Sequence, residues 1–333
     1  MHTLSRLMFA ATATATATAI TMTFASASAF AQQATPPKPS QLIVFGDSLV
    51  DAGNINAAVG SDIFNPVARG YFPGRFTNGP DYTDLLNQRL FGRLLTPSLL
   101  GGTNYAFGGA RIVNDGDPVP DLALQLRTYF ATTSNQVDPN ALYIINAGGN
   151  DVFGIERGQI GGFANPTAYT MSLLDSLAGS IQALSIRGAS RILVTGIPNL
   201  TATGFALEGL VQARFDLIEP TLGNTQLLRF SYLNFFQELS ANPARFGLPP
   251  FDQTGTCISQ RVPVNGVINC SGFFSFDGVH PTAAVQAALF GEVANLTGIS
   301  IPEPESWAMM ILGFGFIGAM LRRSRRRVKI RYS

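Results

Sequence analysis

Histidine is nearly missing from this chain: 333 residues contain two, His2 and His280. Cysteine is as scarce, with Cys257 and Cys270 alone. Such a supply of imidazole and thiolate excludes a zinc-type cluster, and no His-Glu-x-x-His occurs, so a carboxylate-only calcium site is the one metal arrangement left open. Also missing is a Gly-x-Ser-x-Gly elbow, which argues against the ordinary α/β-hydrolase nucleophile turn. No phosphate-cradling Gly-x-x-x-x-Gly-Lys and no dinucleotide fingerprint in a strand-turn-helix setting is found, so no cofactor is implied. Charge is thin at 13% of residues. The whole chain carries +1, yet residues 32–301 hold 14 basic and 19 acidic side chains, a net −5. A mildly acidic body with scattered arginines offers no clustered basic face for nucleic acid.

What is present begins with the apolar run Gln41-Leu42-Ile43-Val44-Phe45, which stops at Gly46-Asp47-Ser48-Leu49-Val50-Asp51-Ala52-Gly53-Asn54. A serine just past a buried strand stands where open α/β sheets gather their chemistry, outside the carboxyl ends of the strands. Its hydroxyl needs a base that works near neutral pH, and imidazole suits that role. His2 falls in a leader, which leaves His280, and Asp277 precedes it by three residues, within reach of the ring Nδ1. The plain alternative makes His280 a residue at a helix start, followed by Pro281 at the first helical position. Between serine and histidine lie two segments that each carry a glycine pair, Thr103–Ala110 and Leu142–Asp151. The first reads as a short strand closing on Gly108-Gly109, where a missing side chain lets a backbone N–H approach a ligand. The second reads as a strand that delivers Asn150 just past its end; both also fit ordinary turn chemistry.

Together these segments resemble the GDSL, or SGNH, family of serine hydrolases, whose blocks carry Ser, Gly, Asn and His in this order. The resemblance implies Ser48 as nucleophile and backbone oxyanion donor, Gly109 as a second donor with Gly108 as its alternative, and Asn150 as the side-chain donor. It implies Asp277 and His280 as the rest of the triad, and carboxylic esters of lipids or acetylated carbohydrates as substrates. Gly74-Arg75-Phe76-Thr77-Asn78-Gly79-Pro80 is similar to a segment of the long-chain GDSL esterases and lipases. Three readings compete: a glycosidase using two of Asp47, Asp51 and Asp151, a non-catalytic binding module on a hydrolase fold, and a polysaccharide O-deacetylase using the same site. The first leaves the serine, the glycine pair and the histidine without a role.

The ends speak of location. Residues 1–31 combine Arg6, a run of Ala, Thr, Ile, Met and Phe, and the small-residue ending Ala29-Phe30-Ala31, as a secretory signal peptide does, with a low-complexity leader as the alternative. Residues 32–40 read as a proline-containing linker and 41–298 as the folded body. At the other end, Ile301-Pro302-Glu303-Pro304-Glu305-Ser306-Trp307, the apolar run 308–321 and seven Arg or Lys residues within 322–331 resemble the PEP-CTERM sorting signal of Gram-negative bacteria. That resemblance implies a sorting enzyme as partner, a short transmembrane helix as an inner-membrane intermediate, and a final place in the periplasm, at the cell surface or in the extracellular matrix. The basic tail obeys the positive-inside bias. From Trp307 to Leu321 a helix spans only about 22 Å, short of the roughly 30 Å hydrocarbon core, with a simple C-terminal anchor as the alternative. In an exported protein Cys257 and Cys270 are expected as a disulfide, free thiols being the other possibility; so short a loop would gain roughly 3 kcal/mol on closure.

Apolar strands at Leu42–Phe45, Leu142–Asn146 and Arg191–Thr195 alternate with helical patterns, which predicts an α/β fold with a parallel sheet covered on both faces. The family resemblance implies the same three-layer α/β/α arrangement. Helices are expected over 167–186, with Leu173, Leu177, Ile181 and Leu184 inward, and after Pro281, with Val285, Leu289, Val293 and Leu296 inward. The long segment 204–246 reads as helical, with Phe205, Leu210, Phe215, Leu228, Phe235 and Phe236 on its core face. Its aromatics, with Phe64, Tyr71 and Phe72, are expected mainly as packing, with an acyl pocket as their other use.

Overall fold

The computed structural model describes residues 36–252 and 255–299, together with 314, 315, 317 and 322. The expected signal peptide, the Pro-Glu-Pro motif and most of the apolar run 308–321 lie outside the described residues. Within them, no helix is long and apolar enough to cross a membrane.

Four five-residue strands form one parallel sheet: β1 (Leu42–Gly46), β2 (Leu142–Asn146), β3 (Arg191–Thr195) and β4 (Gln226–Phe230), ordered as in the sequence. Around them run α1 (Asn54–Val59), α2 (Tyr82–Phe91), α3 (Leu122–Thr132), α4 (Gly149–Glu156), α5 (Pro166–Ile186), α6 (Ala202–Ile218), α7 (Tyr232–Ala241), α8 (Cys257–Gln260) and α9 (Ala283–Thr297). Every residue of β1 and β2 is buried, which is why those strands are continuous apolar runs without alternation. Alternate residues serve opposite layers. Ile43, Phe45, Tyr143, Ile145, Ile192 and Val194 pack against α3, α5 and α6. Leu42, Val44, Leu142, Ile144 and Leu193 pack against α2, α7 and α9. The result is the three-layer α/β/α architecture.

Two local expectations need correction. The 204–246 segment is not one helical stretch: α6 ends at Ile218, a 3-10 turn at Glu219–Thr221 and a turn at Gly223-Asn224 follow, and then come β4 and α7. Residues 227–230 are apolar enough for either structure, and pairing with the edge of β3 selects strand. Phe205 and Leu210 are 42% and 48% exposed, because the inward stripe of α6 runs through Leu207, Val211, Phe215 and Ile218 instead. Leu296 is likewise exposed, while Val285, Leu289 and Val293 face inward. The segment at 103–109 makes no full strand. It lies along β1 through the bonds Val44 N–H to Thr103 O, Tyr105 N–H to Val44 O and Phe107 N–H to Gly46 O.

The sheet crowds most where β1 ends. Gly46 has φ +153°, and a Cβ built there would lie 2.0 Å from the Asn146 carbonyl oxygen. That closeness aims the next residues out of the sheet. Gly46→Ala is expected to destabilise the fold by more than about 3 kcal/mol, measured by urea unfolding.

Candidate active site

Ser48 sits in the turn that leaves β1, where Val50 N–H bonds Asp47 O and Leu49 N–H bonds the Asp47 carboxylate. His280 and Asp277 come from the loop before α9, and the fold brings that loop to Ser48 across 232 residues of sequence. Ser48 Oγ lies 2.7 Å from His280 Nε2, and His280 Nδ1 lies 2.8 Å from Asp277 Oδ2. Burial pushes the Asp277 carboxyl up, but its hydrogen bond to the His280 ring, the charge of that ring and the backbone N–H groups of His280 and Val279 outweigh it and hold it at about 2. A carboxylate ionised at neutral pH only accepts, so the imidazole proton belongs on Nδ1 and Nε2 is left to accept from the serine hydroxyl.

Ser48, Gly109, Asn150 and His280 line one cleft of about 410 Å³, whose walls include Ile55, Phe64, Phe76 and Phe153. Gly108 and Gly109 part company here. The Gly108 N–H donates to Asp51 Oδ2 at 2.8 Å, and a Cβ at Gly108 would meet the Phe76 ring at 2.5 Å. Gly109 has φ +87°, a left-handed conformation suited to glycine, and its N–H is not engaged in this way. Asn150 opens α4 and spends one amide proton on Ala110 O at 2.9 Å, which leaves the other available.

The carboxylates of the glycosidase alternative have structural duties. Asp51 is fully buried and accepts the N–H groups of Gly53, Asn54, Ile55 and Gly108. Asp151 accepts from Ile112 N–H at 2.9 Å and from Tyr169 OH at 2.8 Å. Desolvation pushes Asp47 up to about 7, against the pull of the Leu49 N–H and of its own backbone N–H, with Asp151 and Asp51 adding repulsion. None of the three lines the cleft. As for a calcium site, Asp115, Asp117 and Asp121 have oxygens within 4.8 Å of one another, and Arg111 already pairs with Asp115.

The histidine loop is gripped from outside by Phe76, Thr77 and Asn78, part of the segment 74–80 that the sequence marks by its likeness to long-chain relatives. Thr77 Oγ1 donates to Pro281 O at 2.8 Å, Asn78 Oδ1 receives the Ala283 N–H at 2.8 Å, and Phe76 lies against the imidazole with ring centres 5.1 Å apart. Arg75 fixes the segment to the body through Asp84 and the carbonyls of Ala52 and Leu95. Cys257 and Cys270 are joined in a disulfide beneath the same loop. Phe64 reaches the cleft, as an acyl-pocket residue would, but Tyr71 does not; it turns away to Asp277.

Comparison with known proteins adds to this geometry. The family model of the GDSL-like lipase/acylhydrolases matches residues 42–293, and that of the PEP-CTERM protein-sorting motif matches 300–327. The chain is similar to Lipase 1 of Photorhabdus luminescens, 33% identical over 179 residues, covering 51% of this chain and 24% of that protein. It is similar to a GDSL esterase/lipase of Arabidopsis thaliana, 27% identical, covering 68% and 74%. This chain thus spans about a quarter of the length of the first relative and three quarters of the second. A solved structure of a lipolytic G-D-S-L family protein from Veillonella parvula aligns at TM-score 0.38 and 14% identity, covering 77% of this chain and 96% of that one.

The Asp47 carboxyl gives a stability test. With a pKa of 3.8 unfolded and about 7 folded, it is neutral in the folded protein while ionised in the unfolded one across that window. Its contribution is therefore fully present below pH 3.8 and is lost as pH rises towards 7. Asp47→Asn keeps an acceptor for Leu49 N–H and cannot ionise. Thermal unfolding at a series of pH values should show the variant's Tm advantage growing by several degrees between about pH 4 and pH 7.

Proposed function

We propose that this chain, which belongs to the GDSL-like lipase/acylhydrolase family, hydrolyses carboxylic esters through an acyl-enzyme on Ser48. The observation that carries the reading is the unbroken path Ser48 Oγ, His280 Nε2, His280 Nδ1, Asp277 Oδ2, with both gaps under 3 Å. In the first half-reaction His280 Nε2 takes the Ser48 proton as Oγ attacks the ester carbonyl, then returns it to the departing alcohol. In the second, His280 takes a proton from water, the resulting hydroxide attacks the acyl carbon, and the proton goes back to Ser48 Oγ as the acid leaves. Asp277 keeps the ring oriented and offsets the charge of the imidazolium. The tetrahedral oxyanion is received by the N–H groups of Ser48 and Gly109 and by Asn150 Nδ2, in place of solvent.

The acyl group occupies the cleft beside Ser48. Its apolar wall of Ile55, Phe64, Phe76 and Phe153 favours an aliphatic acyl chain over acetate, which points to lipid-type esters before acetylated carbohydrate. Export follows the sorting motif at 300–327. In this reading the tail is held transiently in the inner membrane and processed at Pro302-Glu303-Pro304, and the enzyme works at or beyond the outer surface.

Aryl esters of graded acyl length, hydrolysed by the purified full chain, test the chemistry. Ser48→Ala and His280→Ala are expected to lower kcat by about 10⁴-fold or more, and Asn150→Ala by about 10²-fold, with the fold checked by circular dichroism. Equal rates in wild type and Ser48→Ala would end the proposal. The expected optimum lies at chains longer than acetyl. For sorting, removal of residues 300–333 should shift the protein from the surface fraction to the periplasm, read by fractionation and immunoblot.

A further inference from the structure

Asp277 is bonded by more than its own loop. Its Oδ1 accepts the N–H groups of Val279 at 3.0 Å and His280 at 2.8 Å, bonds local to one turn. Its Oδ2 accepts His280 Nδ1 and, from 206 residues away, the Tyr71 hydroxyl at 2.9 Å. Four donors meet four acceptor positions, and Tyr71 supplies the one that is not part of the histidine turn. Since Asp277 is ionised and only accepts, the phenol must donate. Burial and the Asp277 charge push the Tyr71 phenol well up, so it stays protonated and remains a donor.

The hydroxyl is placed by packing. The Tyr71 ring is buried edge-on against Phe276, centres 4.7 Å apart, in a small core with Ile268, Phe273 and the Cys257–Cys270 disulfide. Gly70, just before it, has φ +92°, and a Cβ there would lie 2.7 Å from Ile268, so the backbone too is pressed onto this core. The phenol oxygen is thus delivered to Asp277 from a side the histidine loop cannot control by itself.

We propose that Tyr71 is a positioning residue: its hydroxyl fixes the plane of the Asp277 carboxylate and draws charge from Oδ2, and so sets how strongly Asp277 holds the His280 Nδ1 proton. The proposal rests on the reading of Ser48, His280 and Asp277 as a triad. An extra donor on Oδ2 weakens its pull on Nδ1–H and stabilises the imidazolium less. Without it the carboxylate is more negative towards the ring but less firmly placed, so turnover falls while the protonated ring gains. The other charged groups near these residues are Arg69, which acts on the Tyr71 phenol, and Arg157, which lines the cleft with His280; Asp47 lies next to Ser48. Neither arginine is altered in the test.

Two full-chain variants with opposite electronic effects are compared: Tyr71→Phe, and 3-fluorotyrosine placed at position 71, a stronger donor of the same shape. In Tyr71→Phe, kcat for an aryl ester should fall about ten-fold with KM within about two-fold, the loss of one charge-assisted hydrogen bond. The acid limb of its pH profile should move up by about half a unit and the His280 Nδ1 proton resonance downfield, with both shifts reversed in the fluorotyrosine protein. Profiles and proton resonance that stay put in both variants, or that move the same way in both, overturn the proposal. A kcat loss in Tyr71→Phe matched only by a lower Tm does so as well. Ser48→Ala separates this from the reading beneath it: turnover abolished there while position 71 is silent defeats Tyr71 alone, and turnover that survives there defeats the triad. The Nδ1 resonance, read without substrate, then still decides the matter of Tyr71.

Discussion

One buried carboxylate ties the site together. Asp51, sealed from water, accepts four backbone N–H groups, three from the start of α1 and one from Gly108. Burial alone pushes its carboxyl up, to about 6 even with those donors pulling it down. An acceptor so placed needs its donors, and each donor fixes a stretch of chain. The Ser48 turn and the Gly108-Gly109 loop come from segments more than fifty residues apart, and Asp51 makes them one rigid piece. The Gly108 N–H is taken up by Asp51, while Gly109, the next residue, lines the cleft. Oxyanion stabilisation depends on donors already in place when charge develops. In the proposed mechanism that preorganisation would begin with Asp51, which does not line the cleft.

A second frame holds the histidine. Its loop is tied within itself by Asp277 and is clamped by a separate segment: Thr77 on the Pro281 carbonyl, Asn78 capping the Ala283 N–H, Phe76 on the imidazole face. The Arg75–Asp84 pair anchors that segment; both groups are desolvated and further bonded to carbonyls and N–H groups, the condition under which a buried pair holds geometry. The strand-end turn and the histidine loop thus each have their own scaffold, and Ser48 and His280 meet where the two scaffolds face each other.

Much of this was legible in the sequence, for reasons of range. Ser48 at the end of β1, and Asp277 three residues before His280, are local relations, and a chain with so few imidazoles leaves little choice of base. The two-sided burial of the strands was legible from their unbroken apolar runs. Other features depend on contacts that no local pattern encodes. Gly108 and Gly109 are equivalent in sequence, and the Asp51 bond from fifty-seven residues away distinguishes them. Tyr71 reads as one more packing aromatic, which it is, but its bond to Asp277 is invisible in sequence because that partner is 206 residues on. The helical reading of 204–246 failed at β4, where five residues have enough apolar content for either structure and only the open edge of β3 decides between them.

The central claim is that Ser48 is the nucleophile, made reactive by His280 and Asp277. Its most direct test needs no knowledge of the natural ester. The full chain is exposed to an active-site-directed alkyl phosphonate, digested, and mapped by mass spectrometry. The account predicts one adduct, on the peptide carrying Ser48, formed quickly in the wild type and far more slowly in His280→Ala of unchanged fold. An adduct on another residue, or equal labelling with and without His280, would contradict it.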